Sequence, residues 1–211
     1  MFTGIVQDLV VVHQLDDQGD LVKLTLDMGG MTDKLVAGAS VAVNGTCLTV
    51  TSVDQGRVTF DIIVETLRTT NLQALRQGSR VNVERSFRVG DEVGGHVVSG
   101  HVTATAELVR RYAVGHEQVL TFSLAPEWMK YVFHKGFIAL DGASLTVSSV
   151  DKSQLQFQVS LIPETLARTT LGSADCGMLV NVEVDAQTVT TVDTVERLFA
   201  DPTWRAQALG Q

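Results

Sequence analysis

The chain lacks most of what the simpler functional readings would need. It has two cysteines, Cys47 and Cys176, which make no disulfide framework, so a reducing cytoplasm is the expected setting. Basic residues number 16 against 24 acidic ones. Without a basic stripe to neutralise phosphates, neither nucleic acid nor an anionic membrane is an expected partner. Aromatics are 6% of the chain, few for the stacking platforms of a single-strand-binding barrel. No apolar run approaches the ~18 residues of a membrane span. The opening MFTGIVQDLVVVHQLDD has neither the basic region nor the cleavage site expected of a secretory leader. Three prolines in 211 residues, beside abundant valine and threonine, favour strands.

What is present is a repeat. Residues 39–54 align with 136–151, and eight of the sixteen pairs are identical, among them LTV at Leu48 and again at Leu145. ETLRTTNL at Glu65 matches ETLARTTL at Glu164, GSRVNVE at Gly78 matches GMLVNVE at Gly177, and TGIV at Thr3 is similar to SGHV at Ser99. The order is kept, and each unit far exceeds a solenoid repeat, so these are duplicated domains. The expected organisation is one domain over 1–96, a second over 97–187 and a helical tail over 188–211, with RSFRVGDEVGG as the junction.

Short β-branched runs punctuated by Gly, Asn and Asp predict a small barrel or sandwich in each unit. In the first, strands are expected at 3–13, 21–26, 40–43, 46–53, 57–63 and 80–85. VNG and LDG predict tight turns, because Asn-Gly and Asp-Gly tolerate positive φ. APEWMKYVFHKG and ETLRTTNLQALRQG predict short helices, the first opening at Pro126 and stopping by Gly136. In the tail, Val192, Val195, Leu198 and Phe199 form one helical stripe with Pro202 ending or kinking the helix. That stripe is expected to pack on a partner subunit; the competing reading folds it back on its own barrel.

Chemistry is harder to read. His96 and His101 are five apart in an extended GGHVVSGHV and should face opposite sides, and no Cys/His cluster has zinc spacing, so no metal is expected. The glycines of GDEVGGHVVSG are followed by a β-branched strand rather than a helix, which excludes a dinucleotide loop. Comparing the units is more informative: Cys47 aligns with Ser144, Thr49 with Thr146, Ile5 with His101 and Ser40 with Phe137. Residues two apart in a strand share a face, so each unit shows a polar face where a plain core would be apolar. The bland alternative is that these hydroxyls merely satisfy backbone groups at a turn.

Together, MFTGIVQ, NGTCLTV, ETLRTTNL, GGHVVSGHV, KGFIALDGASLTV, IPETLARTTL and VDTVER resemble the riboflavin synthase family, over nearly the whole chain. The resemblance implies an all-β protein of two tandem Greek-key barrels with a C-terminal helix. It implies a homotrimer whose sites form between neighbouring subunits, association with lumazine synthase as a further partner, and a transferase reaction needing no cofactor. In that reaction two 6,7-dimethyl-8-ribityllumazine molecules exchange a four-carbon unit, giving riboflavin and 5-amino-6-ribitylaminouracil. The alternative within the fold is a non-catalytic lumazine- or flavin-binding antenna protein.

The same resemblance implies the site residues. The first pocket would use Gly4, Ile5, Val6, Cys47, Leu48, Thr49, Asp61, Ile62, Ile63, Val64, Glu65 and Thr66. The second would use Gly100, His101, Val102, Lys135, Ser144, Leu145, Thr146, Ser160, Leu161, Ile162, Pro163, Glu164 and Thr165. His101 is the first candidate for proton transfer, since histidine ordinarily titrates near neutrality; the competing reading is a strand histidine bonded to a carbonyl. Cys47 could add to or stabilise the acceptor ring, or be a small buried hydrophobe. Ser40, Ser144 and Thr146 would bind or orient water, and Cys176 is a bystander. One departure is Val64, whose twin is Pro163.

Overall fold

The computed structural model describes residues 1–209. Twelve strands form two closed antiparallel barrels. The first holds β1 (Asp8–Asp17), β2 (Leu21–Asp27), β3 (Ser40–Val43), β4 (Thr46–Asp54), β5 (Arg57–Ile63) and β6 (Arg80–Arg85). The second holds β7 (Ala104–Val114), β8 (Glu117–Ser123), β9 (Phe137–Leu140), β10 (Ala143–Asp151), β11 (Gln156–Leu161) and β12 (Leu179–Val184). Around the first barrel the order is β1-β2-β5-β4-β3-β6, and the second repeats it strand for strand. Even the irregularities recur: β4 is bulged between Val50 and Ser52, and β10 between Val147 and Ser149.

The alternation explains the barrels. In β4, Leu48 and Val50 point inward while Thr49 and Thr51 face out, the period of two that closes a sheet around an apolar centre. Leu24, Phe60 and Val81 fill the first core; Leu120, Phe122 and Phe157 fill the second. Both expected turns form, with φ of 43° and 77° at Asn44 and Gly45 and of 45° and 82° at Asp141 and Gly142.

Three expectations about elements need correction. The first strand begins at Asp8, not at residue 3, and runs on to Asp17. Phe2 instead bridges Val98, because the segment ahead of β1 leaves its barrel and lies against the segment ahead of β7. For the same reason GGHVVSGHV is no continuous strand; it holds one isolated bridge, at Val98. The helix opening at Pro126 is a single turn, α2 (Pro126–Met129), and α1 (Val64–Thr69) and α3 (Pro163–Arg168) start the ETL segments. Val64 and Pro163 are each the first helical residue, where a missing N–H costs nothing.

The barrels meet across a near-twofold polar seam. Asn82 Nδ2 donates to the carbonyl of Asp141 at 2.9 Å, and its twin Asn181 Nδ2 donates to the carbonyl of Asn44 at 2.8 Å. Asn71 N–H donates to Asn181 Oδ1, and Thr170 N–H donates to Asn82 Oδ1. Each asparagine thus reads the other barrel's turn, which leaves the seam's buried amides satisfied. Helix α4 (Ala186–Ala200) follows, and α5 (Pro202–Leu209) turns off after it. The tail stripe is divided. Val189 and Val192 pack on the second barrel's core, and Tyr131 Oη donates to Asp193 at 2.6 Å. Val195 and Phe199 are exposed. No helix among the described residues is long and apolar enough to cross a membrane.

Candidate active site

The site grows from the hairpins at the seam. The β4–β5 ladder runs only to Val50–Phe60, and the β10–β11 ladder to Val147–Val159. Cys47, Leu48 and Thr49 lie to one side of where the first ladder stops, and Asp61 to Thr66 to the other; Ser144 to Thr146 and Ser160 to Thr165 repeat this. Cys47 and Thr49 share the outer face of β4, Ser144 and Thr146 that of β10, while Leu48 turns into the core. Ser40 lies opposite Thr49, as Phe137 lies opposite Thr146. Exposed Ile63, Ile162, Ile5 and Phe137 add apolar surface, suited to a flat ring among a few polar groups.

The structure rearranges one part of the expected grouping. By repeat position Gly4 belongs with Cys47, and Gly100 with Ser144. Instead Ser144 N–H donates to the carbonyl of Gly4, and Cys47 N–H to that of Gly100, both at 2.8 Å. The leading segments cross over, so Gly4 and Ile5 adjoin the second hairpin and Gly100 and His101 the first. Two buried carboxylates hold the crossing. Glu84 accepts from Thr3 N–H, Thr3 Oγ1 and Gly4 N–H; Glu183 accepts from Ser99 N–H, Ser99 Oγ and Gly100 N–H. Glycine is required at both crossings. A Cβ on Gly4 would lie 2.5 Å from Ser144 Cβ, and one on Gly100 2.6 Å from Cys47 Cβ, both at positive φ.

The pockets are alike but not equal. Asp61 pairs with Lys23 at 2.8 Å, while its twin is Ser160. Lys135 adopts φ +64° at the post that Gly38 fills in the first repeat, a left-handed conformation that non-glycine residues rarely take without a reason. His101 is exposed, and its backbone N–H donates to Ser99 Oγ at 3.1 Å. Cys176 is exposed in the turn before β12.

Sequence reasoning missed His96. It is buried, its Nδ1 lies 2.6 Å from Ser144 Oγ, and its ring stacks on Phe137 at 5.0 Å between centroids. Burial lowers its pKa, with Asp185 opposing, which favours the uncharged ring. The readable signal was the doublet Gly94-Gly95 ahead of it, since any Cβ on Gly95 would strike Thr3 and Ser144. Among the described residues no three His, Cys, Asp or Glu side chains group as a metal site.

Known proteins match this arrangement. The lumazine binding domain family matches twice, over residues 3–86 and 99–185. Riboflavin synthase of Escherichia coli K12 is 46% identical over 202 residues, covering 95% of this chain and 94% of that one. Those of Chlamydia pneumoniae and Mycobacterium tuberculosis H37Rv are 45% and 46% identical, each covered over 98% of its length.

The chain belongs to the riboflavin synthase family.

Riboflavin synthases are transferases, and this member has their two lumazine-binding barrels. A crystal structure of LumP complexed with riboflavin shares the family's fold, with TM-score 0.80 over 88% of this chain and all of that one, at 22% identity. LumP complexed with 6,7-dimethyl-8-(1'-D-ribityl) lumazine gives 0.79.

Proposed function

We propose that the chain is a riboflavin synthase. It takes two 6,7-dimethyl-8-ribityllumazine molecules, moves a four-carbon unit from one to the other, and releases riboflavin and 5-amino-6-ribitylaminouracil. The observation that carries this is the matched pair of hairpins, Cys47/Thr49 and Ser144/Thr146, in a chain 46% identical to riboflavin synthases over nearly its full length. One reactant type acting in two roles calls for two similar pockets. Holding both reactants in place can supply on the order of 7–11 kcal/mol of the barrier. The lumazine C7 methyl is acidified by its ring, so positioning and modest proton transfer suffice.

In this reading His101, exposed beside the first hairpin, moves the methyl proton, and Cys47 attends the acceptor ring. Ser40, Ser144 and Thr146 bind or orient water, and Thr66, Thr165 and the neighbouring carboxylates take the ribityl hydroxyls. The two pockets that react come from neighbouring subunits of a homotrimer. Exposed Val195 and Phe199 on α4 and Trp204 on α5 support an association through the tail. The protein works in the cytoplasm and associates with lumazine synthase.

Incubating the purified chain with the lumazine and following riboflavin absorbance tests the reaction. Steady riboflavin release supports it; tight binding with no turnover favours the antenna alternative and overturns it. Sedimentation tests the trimer, and monomers with full activity overturn that part.

A further inference from the structure

Ser144 and Cys47 hold the same post in the two hairpins, yet their surroundings differ. Ser144 Oγ has the imidazole of His96 at 2.6 Å, whereas among the described residues no hydrogen bond reaches the side chain of Cys47. The imidazole is not free to choose its position. Its ring is stacked nearly parallel on Phe137, with 16° between the planes. Gly95 beside it has no side chain to wedge the segment away from Ser144. The Asp185 carboxylate, N-cap of α4, is the charged group that acts on the ring.

Taking the two hairpins as lumazine sites, we propose that His96 is a positioning residue. Its Nδ1, bare of a proton, accepts from the Ser144 hydroxyl and locks it so that the oxygen's remaining lone pairs face the bound heterocycle as acceptors, a constraint that the Cys47 pocket lacks. The second pocket therefore selects the face of its ligand that carries a donor, a ring N–H or a ribityl hydroxyl. The first leaves that choice open. Two identical molecules thereby acquire different seats from one pair of residues. The neutrality that burial favours in His96 supports this, since a charged ring would have no acceptor nitrogen to offer.

The test has two arms. In the first, nitrogen NMR of the histidine-labelled chain without substrate reads the His96 ring, assigned through His96→Asn. We expect Nδ1 bare and Nε2 protonated, with Ser144→Ala shifting the Nδ1 signal. A proton on Nδ1, or no response to Ser144→Ala, overturns the proposal. In the second arm, His96→Ala and Ser144→Ala each lower kcat/KM for riboflavin formation about tenfold, and the double variant is no worse than the weaker single. His96→Asn, whose Oδ1 replaces Nδ1 as acceptor, restores most of the loss. Additive losses, or an Asn variant as poor as Ala, overturn it. Turnover by the unaltered chain bears on the reaction itself, while the NMR arm stands without it.

Discussion

Glu84 and Glu183 are each other's counterparts: one clamps Thr3 and Gly4 and the other Ser99 and Gly100, each with three hydrogen bonds. Each carboxylate belongs to the last strand of its barrel, and each clamped glycine then reaches the other barrel's hairpin. The crossing of the leading segments is thus held from β6 and β12 rather than from the site itself.

Glu84→Ala leaves the amides of Thr3 and Gly4 without an acceptor in a buried place. The expected cost is about 1–3 kcal/mol, read by urea unfolding. Protease should then cut ahead of β1 before either barrel opens. An unchanged midpoint with no early cleavage would show that Glu84 does not hold the segment.

Asp141 is a buried carboxylate in the polar seam of asparagines between the barrels, where its twin is the neutral Asn44. It accepts from Asn71, Asn181 and Thr170, yet burial outweighs these bonds and raises its pKa from 3.8 to about 7. A group whose folded pKa is raised binds protons better when folded. Its contribution is therefore full below about pH 4 and is lost as pH climbs through about 7. Asp141→Asn, copying the twin, should flatten that slope. Between pH 5 and 8 the unaltered chain should lose up to a few kcal/mol relative to the variant. Parallel melting-temperature profiles would contradict this.

For the site, His101→Ala and Cys47→Ser are expected to cost roughly 10²-fold in turnover, the scale of positioned proton transfer. Folding should hardly change, because His101 is exposed and Cys47 gives way to a side chain of similar size. Full rates in both variants would refute the roles given to them.

The sequence carried the barrels because strand chemistry and turn chemistry are local. Asn44-Gly45 and Asp141-Gly142 announced their turns, and the alternation Leu48, Thr49, Val50 announced which side was core. The duplication then brought Cys47 and Ser144 into comparison before any coordinates did. What stayed hidden is non-local. Nothing near Thr3 says that its partner is Glu84, so the leading segments read as strands and their glycines were grouped with the wrong hairpins. His96 reads locally as no more than a candidate metal ligand, because its partner Ser144 lies 48 residues away. The tail helix is legible only in part for a related reason: periodicity marks an apolar stripe but not that Val192 meets the barrel while Val195 and Phe199 are exposed.

Lys135 separates stability from function. At φ +64° a side chain with a Cβ is strained by about 1–2 kcal/mol, and the first repeat relieves that strain with Gly38, at φ +87°. Both residues make the same backbone bond, Lys135 N–H to the carbonyl of Val147 and Gly38 N–H to that of Val50, each at 2.8 Å. The backbone therefore does not need lysine, and its exposed side chain forms no ion pair among the described residues. Lys135→Gly should leave stability unchanged or raise it by up to about 1 kcal/mol, since relief of strain is partly offset by the greater freedom of an unfolded glycine. If lysine is there to meet the ligand, the same change should raise KM for the lumazine severalfold. Melting temperature and KM would then rise together. A lower melting temperature with unchanged KM would mean that Lys135 serves the fold instead.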